Sequence, residues 1–384
     1  MENIVSSNFA KTFTNEDEFF AFAKERENHS FWETVDAKTM HFDPLYEEPI
    51  MASAVAAKYG ANQFAIEECM DKLHSGIISK VGPAYFPVGD SAVGTILERM
   101  QVRKGFWVRQ HANPAVLAKD LNSSFNMMGN KVLVKVGDEM VRAVHSPRYS
   151  KVPLSTVYSL AKEFLSENFE LAEFSTGFFS HEFSSMLFDL SMYRSELLGN
   201  ATHVRSNSKV NPALYVQTSD VALSSVTIRP VLLYGKTMAP LAVREDTRHL
   251  GSEETVTDRV SKGFEIAMAK FVEAVGDVEK LDSIKLKNPF YALLRAFVAI
   301  KWPKAAKPAA LEAADNFKDM YCSEEDGAGE ATAYDAYLAI LDALSFYAHD
   351  DDDATANLER LMDSVARAVK IDWHDCDLPG TFAY

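Results

Sequence analysis

The chain has 384 residues, 47% hydrophobic and 24% charged, which allows two or three domains, or one large elaborated one, with ample core. It has no run of about 18 apolar residues, so no membrane span is expected, and MENIVSSNFAKTF lacks the positive-then-apolar order of a secretory signal. The formal net charge of -16 is uneven: residues 311–384 hold 18 acids and 4 bases, residues 1–100 hold 16 acids and 8 bases, and residues 101–155 hold 3 acids and 9 bases.

In chain order, a helix is predicted after Thr14, which stands as a cap before an acidic first turn, with Phe19, Phe20, Phe22 and Ala23 as its apolar stripe. Pro49–Leu73 is rich in Ala and Met and reads as helix broken at Gly60. Val81–Gly94 reads as loop, and the β-branched and aromatic Gly105–Arg109 as extended. Lys131–Val136 and Met140–His145 alternate around Gly137-Asp138, a two-residue hairpin signal. A helix follows over Leu154–Phe169, then strands over Phe183–Met192, Ala213–Ser219 and Ser224–Tyr234. Helices are predicted over Thr255–Val275, Pro289–Ile300, Lys304–Tyr321, Ala331–Ala348 and Ala354–Val369, with Asp350–Asp353 an acidic cluster before the last. The fold class is α+β, with a mainly antiparallel β-rich centre between helical ends. The organisation is 1–100, a mainly helical N-terminal region; 101–250, an α+β core carrying the basic hairpin; and 251–384, an acidic helical region.

The hairpin NKVLVKVGDEMVRAVHSPRYSKVP concentrates the positive charge. A turn at Gly137-Asp138 puts Val132, Val134, Val136, Val141 and Ala143 on one face, as core. Lys131, Lys135 and Arg142 then share the other with Leu133, Met140 and Val144. Arg148, Tyr149 and Lys151 follow. Upstream, VRKGFWVRQH interleaves Arg103, Lys104 and Arg109 with Phe106 and Trp107. Cations for phosphate and rings for bases are what a nucleic-acid surface requires; a solvated sheet face over an aromatic core fits the same pattern.

Other chemistry finds little support. Gly89 to Gly94 has GxxxxG spacing, but Thr95-Ile96 follows where Lys-Ser/Thr is needed. The ten histidines include no HExxH, and neither Trp373-His374-Asp375-Cys376-Asp377 nor His349-Asp350 has metal-ligand spacing, so no metal or cofactor is expected. No GxSxG or comparable nucleophile motif occurs. Cys69, Cys322 and Cys376 are scattered and odd in number, which suits free thiols in a reducing cytoplasm. The end DWHDCDLPGTFAY reads either as a frayed tail or as an acidic docking peptide that competes for a basic groove.

GNKVLVKVGDEMVRAVHSPRY (Gly129–Tyr149) resembles the "vRAvlSdrY" segment of a phage- and plasmid-borne family, the nine-hundred-and-thirty-second of the domains of unknown function. LYVQTSDVALSSVTIRPVLLY (Leu214–Tyr234) resembles its "tSDtG.ssv.v.p.l" stretch, and REDTRHLGS (Arg244–Ser252) its "rrHtG" segment. The resemblance covers residues 100–280. It departs from the pattern at Val221-Ala222, where Gly is common, and lacks the Cys-Asn that often follows. A more distant similarity is to single-strand annealing proteins. The resemblance implies a mobile-element setting near recombination or replication, and a basic, aromatic-bearing sheet lining an oligomeric groove.

The expectation is therefore a non-catalytic, phage- or plasmid-encoded protein that binds or anneals single-stranded DNA or RNA in the bacterial cytoplasm as a homo-oligomer, its acidic C-terminal region meeting a protein partner. Its contact residues are Arg103, Lys104, Trp107, Arg109, Lys131, Lys135, Arg142, Arg148, Tyr149 and Lys151. The alternatives are a phage structural or protein-interaction module, and a nucleic-acid-processing enzyme with an unrecognised site.

Overall fold

In the computed structural model, strand β1 (Ala10–Phe13) leads into helix α1 (Glu16–Asn28), whose cap is Asn15 rather than Thr14: the Asn15 side chain accepts from Glu18 N at 2.9 Å. The structure describes residues 4–6, 9–45, 51–72, 75–100, 113–199, 201, 210–221, 225–235, 237–322, 328–350 and 355–384. Three further strands and three helices belong to the first hundred residues' middle portion: β2 (Ser30–Asp36), β3 (His41–Pro44), α2 (Ala52–Tyr59), α3 (Gln63–Lys72), β4 (Ile77–Val81) and α4 (Asp90–Arg99). Gly60 ends α2 at φ 64°, the left-handed value its missing Cβ permits, so the expected break is real. The stretch read as loop after Val81 contains β5 (Ala84–Pro87) and the start of α4. β5 was missed because four residues are too few to display a period; it is specified by its pairing with β4, from Ile78↔Pro87 to Val81↔Ala84.

Helix α5 (Pro114–Met127) precedes the hairpin strands β6 (Lys131–Gly137) and β7 (Met140–His145). β2, β6 and β7 form one antiparallel sheet, and β3, β4 and β5 another. Val35, Phe42, Ile77, Ile96, Leu121, Phe125, Val132, Val134 and Val144 are buried in one core shared by the two sheets, α4 and α5. Asn122 of α5 pins this core to β3, accepting from Phe42 N at 2.8 Å and donating to Phe42 O at 2.7 Å.

The second unit is built on a seven-stranded sheet. Its strands are β8 (Glu173–Ser180), β9 (Ser184–Asp189), β10 (Val210–Thr218), β11 (Val226–Tyr234), β12 (Thr237–Pro240) and β13 (Glu245–Thr247), joined by β1 in the order β1-β8-β9-β10-β11-β12, with β13 also on β11. Helix α6 (Leu154–Asn168) precedes it, and the short α7 (Arg194–Leu197) lies between β9 and β10. Helix α8 (Glu253–Leu281) crosses the inner face, capped by Ser252, which accepts from Thr255 N at 3.1 Å. Its apolar stripe, Val256, Val260, Phe264, Ala267 and Phe271, joins Phe188, Leu214, Val216 and Ile228 in the largest core. Burying each such side chain contributes about 1.5–3 kcal/mol. Gly263 lets α8 approach the sheet: a Cβ there would meet Ile228 Cδ1 at 3.0 Å.

Helices α9 (Pro289–Ala299), α10 (Lys307–Tyr321), α11 (Ala333–Asp350), α12 (Thr355–Ala368) and α13 (Trp373–Cys376) extend that core, and β14 (Lys285–Leu286) pairs with β15 (Ala331–Thr332). The fold is α+β, antiparallel sheets flanked by helices. Beside their helices, the first hundred residues supply strands to both units: β1 completes the seven-stranded sheet and β2 completes the hairpin sheet. The C-terminal segment lies on the chain's own α9. Asp377 accepts from Lys287 N and Asn288 N at 2.7 and 2.6 Å, and Arg295 donates to the carbonyls of Cys376, Leu378 and Gly380.

Candidate nucleic-acid interface

The hairpin turn is Asp138-Glu139, one residue later than expected. Both have positive φ, 51° and 61°, and Gly137 pairs with Met140. This is the mirror-image turn that suits the strand twist. It is held from outside the hairpin: Asp138 N donates to His29 O at 3.2 Å, and the Asp138 carboxylate pairs with Arg26. Burial still pushes the Asp138 carboxyl above its ordinary value, against the opposing pull of Arg26. A bulge then falls at Arg142, because Val136 pairs with Val141 while Lys135 pairs with Ala143. The extra residue reverses the alternation. Val132, Val134, Val136 and Val141 are core as expected, but Val144, not Ala143, joins them.

The opposite face is not open. Lys135 Nζ lies 3.1 Å from Asp220 Oδ2 and 5.7 Å from the Trp32 ring centroid. Arg142 is 3% exposed, its Nε donating to Gly137 O at 3.2 Å and its Nη2 to Val5 O at 3.4 Å; burial pushes its pKa down to about 10. Tyr149 stacks between His145 and His249, with ring centroids 4.5 and 5.2 Å away, and Trp32 lies 5.2 Å to the side. Its exposure is 9%, so no base reaches its faces in this conformation. The open basic face expected of Lys135, Arg142 and Tyr149 is thus corrected. The reason is coverage: the end of β10 and the 248–250 segment lie over one part, and the N-terminal segment over another.

His145 Nε2–H donates to Val221 O at 2.9 Å, and burial pushes its pKa down to about 4. Burial also lowers the pKa of His249 and raises that of the Tyr149 hydroxyl. All three are neutral near pH 7. Among the described residues, Asp220 Oδ1, Ser150 Oγ and both ring nitrogens of His249 are buried without a hydrogen-bond partner. Buried polar atoms in a folded protein are nearly always paired, so their concentration here marks this boundary as unusual.

Lys131, Arg148 and Lys151 are exposed as expected. An antiparallel bridge, Tyr149↔Leu250, and a bond from Ser150 N to His249 O at 2.9 Å set the 148–151 turn against the 248–250 segment. Exposed Arg248 therefore lies beside Arg148 and Lys151, and exposed Arg259 reaches the same place, donating to Leu250 O at 3.2 Å. Arg148, Lys151 and Arg248 make no ion pair among the described residues. Arg103, Lys104, Trp107 and Arg109 lie outside the described residues.

Trp32, His145, Asp220, Arg248, His249 and Arg259 were missed as site residues. His145, Asp220, Arg248 and His249 do stand in the segments that carried the family resemblance. Those three segments, separated in sequence, meet here: Tyr149 from the first, Asp220 from the second and His249 from the third. Among the described residues, no group of three His, Cys, Asp or Glu side chains is arranged to hold a metal ion, and no helix is long and apolar enough to cross a membrane. No protein-family model matches the chain, and no curated protein or solved structure matches it.

Proposed function

We propose that the chain binds single-stranded nucleic acid, in the setting of phage or plasmid recombination or replication, and does so without catalysis. The observation that carries this reading is the seam of exposed cations: Arg148 and Lys151 on one turn, Arg248 and Arg259 on and beside the segment paired with it. Exposed cations that make no ion pair among the described residues, clustered on an otherwise acidic chain, would attract a polyanion and release its counterions. The convergence of the three resembling segments on this same place supports treating them as one unit.

The test is affinity for oligo-dT, oligo-U and duplex DNA across a salt series. Affinity is expected to fall steeply with salt, and Arg148→Ala with Arg248→Ala to reduce the log–log slope by about 1.4, since each phosphate contact on a single strand contributes about 0.7. Arg148→Glu with Arg248→Glu is expected to abolish binding. Salt-independent binding, or none, overturns the reading.

A further inference from the structure

The place where the three segments meet has the form of a phosphate site already occupied by a carboxylate. Lys135 is a lysine on a sheet face, flanked by the Trp32 ring, which packs against Tyr149 of the turn that carries exposed Arg148 and Lys151. Asp220 supplies the anion: its Oδ2 sits on Lys135 Nζ, and Lys135 also donates to the Asp220 carbonyl at 3.4 Å. The fit is incomplete. Asp220 Oδ1 has no partner among the described residues, and neither do both ring nitrogens of neighbouring His249 and the hydroxyl of Ser150. The contact joins two units whose apolar cores are separate, one on the hairpin sheet and one on the seven-stranded sheet. A polar boundary between separate cores is held far less firmly than a core. The Asp220 side chain is 25% exposed against 10% for Lys135, so the anion can leave toward solvent and uncover the cation beneath it.

We propose that Asp220 is an autoinhibitory phosphate mimic: a nucleic-acid phosphate displaces its carboxylate from Lys135, and the displacement opens the boundary and exposes Trp32 and Tyr149 to the strand. This rests on the nucleic-acid reading above and adds its regulation. The closed form is a tax on affinity, because only the fraction with Asp220 displaced presents Lys135 and the rings. It also accounts for the basic, aromatic face being legible in the sequence yet covered in the folded chain. The ligand enters by way of the exposed cation seam, and the buried cation and rings engage second.

The experiment compares the full-length wild type with Asp220→Asn for oligo-dT affinity, and follows hydrogen exchange of the wild type over residues 213–221 with and without oligo-dT. Asp220→Asn is expected to bind about tenfold tighter if the open fraction is about a tenth. Exchange in the wild type is expected to rise over 216–221 on binding, whereas ligands ordinarily slow exchange where they dock. The exchange arm needs no variant, so it decides the matter even if Asp220→Asn folds poorly. Wild-type binding with unchanged or slowed exchange at 216–221, and no gain in Asp220→Asn, overturns the mimic and leaves the exposed seam as the whole site. Failure of both proteins to bind overturns the mimic together with the nucleic-acid reading.

Discussion

The ammonium of Lys135, on β6, and the carboxylate of Asp220, two residues beyond the end of β10, meet at 3.1 Å across the boundary between two sheets. An ion pair in that position holds the boundary only while both charges are present. Lys135→Met leaves Asp220 partly buried without its cation, which is expected to cost about 2 kcal/mol, less than for a fully buried pair because Asp220 is partly solvated. Lys135→Met with Asp220→Asn is expected to recover most of that loss. Urea unfolding of both single variants, the double and the wild type measures the coupling. Additive losses would mean that the contact contributes nothing.

Glu139 occupies the second central position of the hairpin turn at φ 61°, is exposed, and makes no hydrogen bond or ion pair among the described residues. A side chain with a Cβ is strained there by about 1 kcal/mol, whereas glycine is at ease. Glu139→Gly is expected to raise stability by about 0.5–1 kcal/mol, read as a shift of the denaturant midpoint at constant slope.

His145, His181 and His249 are neutral in the folded protein, each with its pKa pushed down by burial, His145 to about 4 and His181 well below its ordinary value. The unfolded chain binds protons on these histidines from about pH 6.5 downward, while the folded chain does not until lower pH. Stability therefore falls as pH drops from about 6.5 toward 4, and the His145 contribution alone is on the order of 3 kcal/mol across that window. Asp138, with its raised pKa, works in the opposite sense and offsets part of it. His145→Gln is expected to flatten the stability profile between pH 6.5 and about 4; an unchanged slope would show that His145 is not held neutral.

Arg229, with a fully buried side chain in the centre of β11, donates through Nη2 to Glu359 Oε2 at 3.0 Å and to Asp363 Oδ1 at 2.9 Å, and Arg244 pairs with Glu359 as well. The apolar contact between α12 and that face of the sheet is small, with only Ala213, Val231 and Met362 fully buried in it among the described residues. Charge pairing thus carries much of the docking of α12 on that face of the sheet, while Leu361, Val365 and Ala368 bury its other side in the largest core. Arg229→Met is expected to cost about 3 kcal/mol, because two carboxylates lose a buried partner, and to speed hydrogen exchange selectively over 358–368. Exchange speeded equally across the chain would show that α12 is not a separate unit.

Much of the fold was legible in the sequence where the signal was local and long. The α8 helix shows its apolar stripe within the predicted Thr255–Val275, β6 shows alternating valines, and β11 shows a β-branched run. The departures have equally local causes. Thr14 and Asn15 are both competent caps one residue apart, and the hairpin turn moved by one residue because Arg26 and His29 of α1 grip Asp138. The separate bulge at Arg142, not the turn, exchanged Ala143 for Val144 in the hairpin core.

The sequence by itself determined which residues of the hairpin alternate, that its valines form a core face, and that basic charge gathers near it, because these follow from the two-residue period of a strand and from composition. It named Tyr149 as a contact residue and held Asp220 and His249 in two other segments without singling them out as site residues. Only the tertiary structure decided that these three meet, and that Lys135 faces a carboxylate 85 residues away rather than water. The physical reason is that a period names two faces and says nothing of what covers the second. That cover depends on how two separate cores dock, and the docking turned three of the expected contact residues inward while leaving Lys131, Arg148 and Lys151 at the surface.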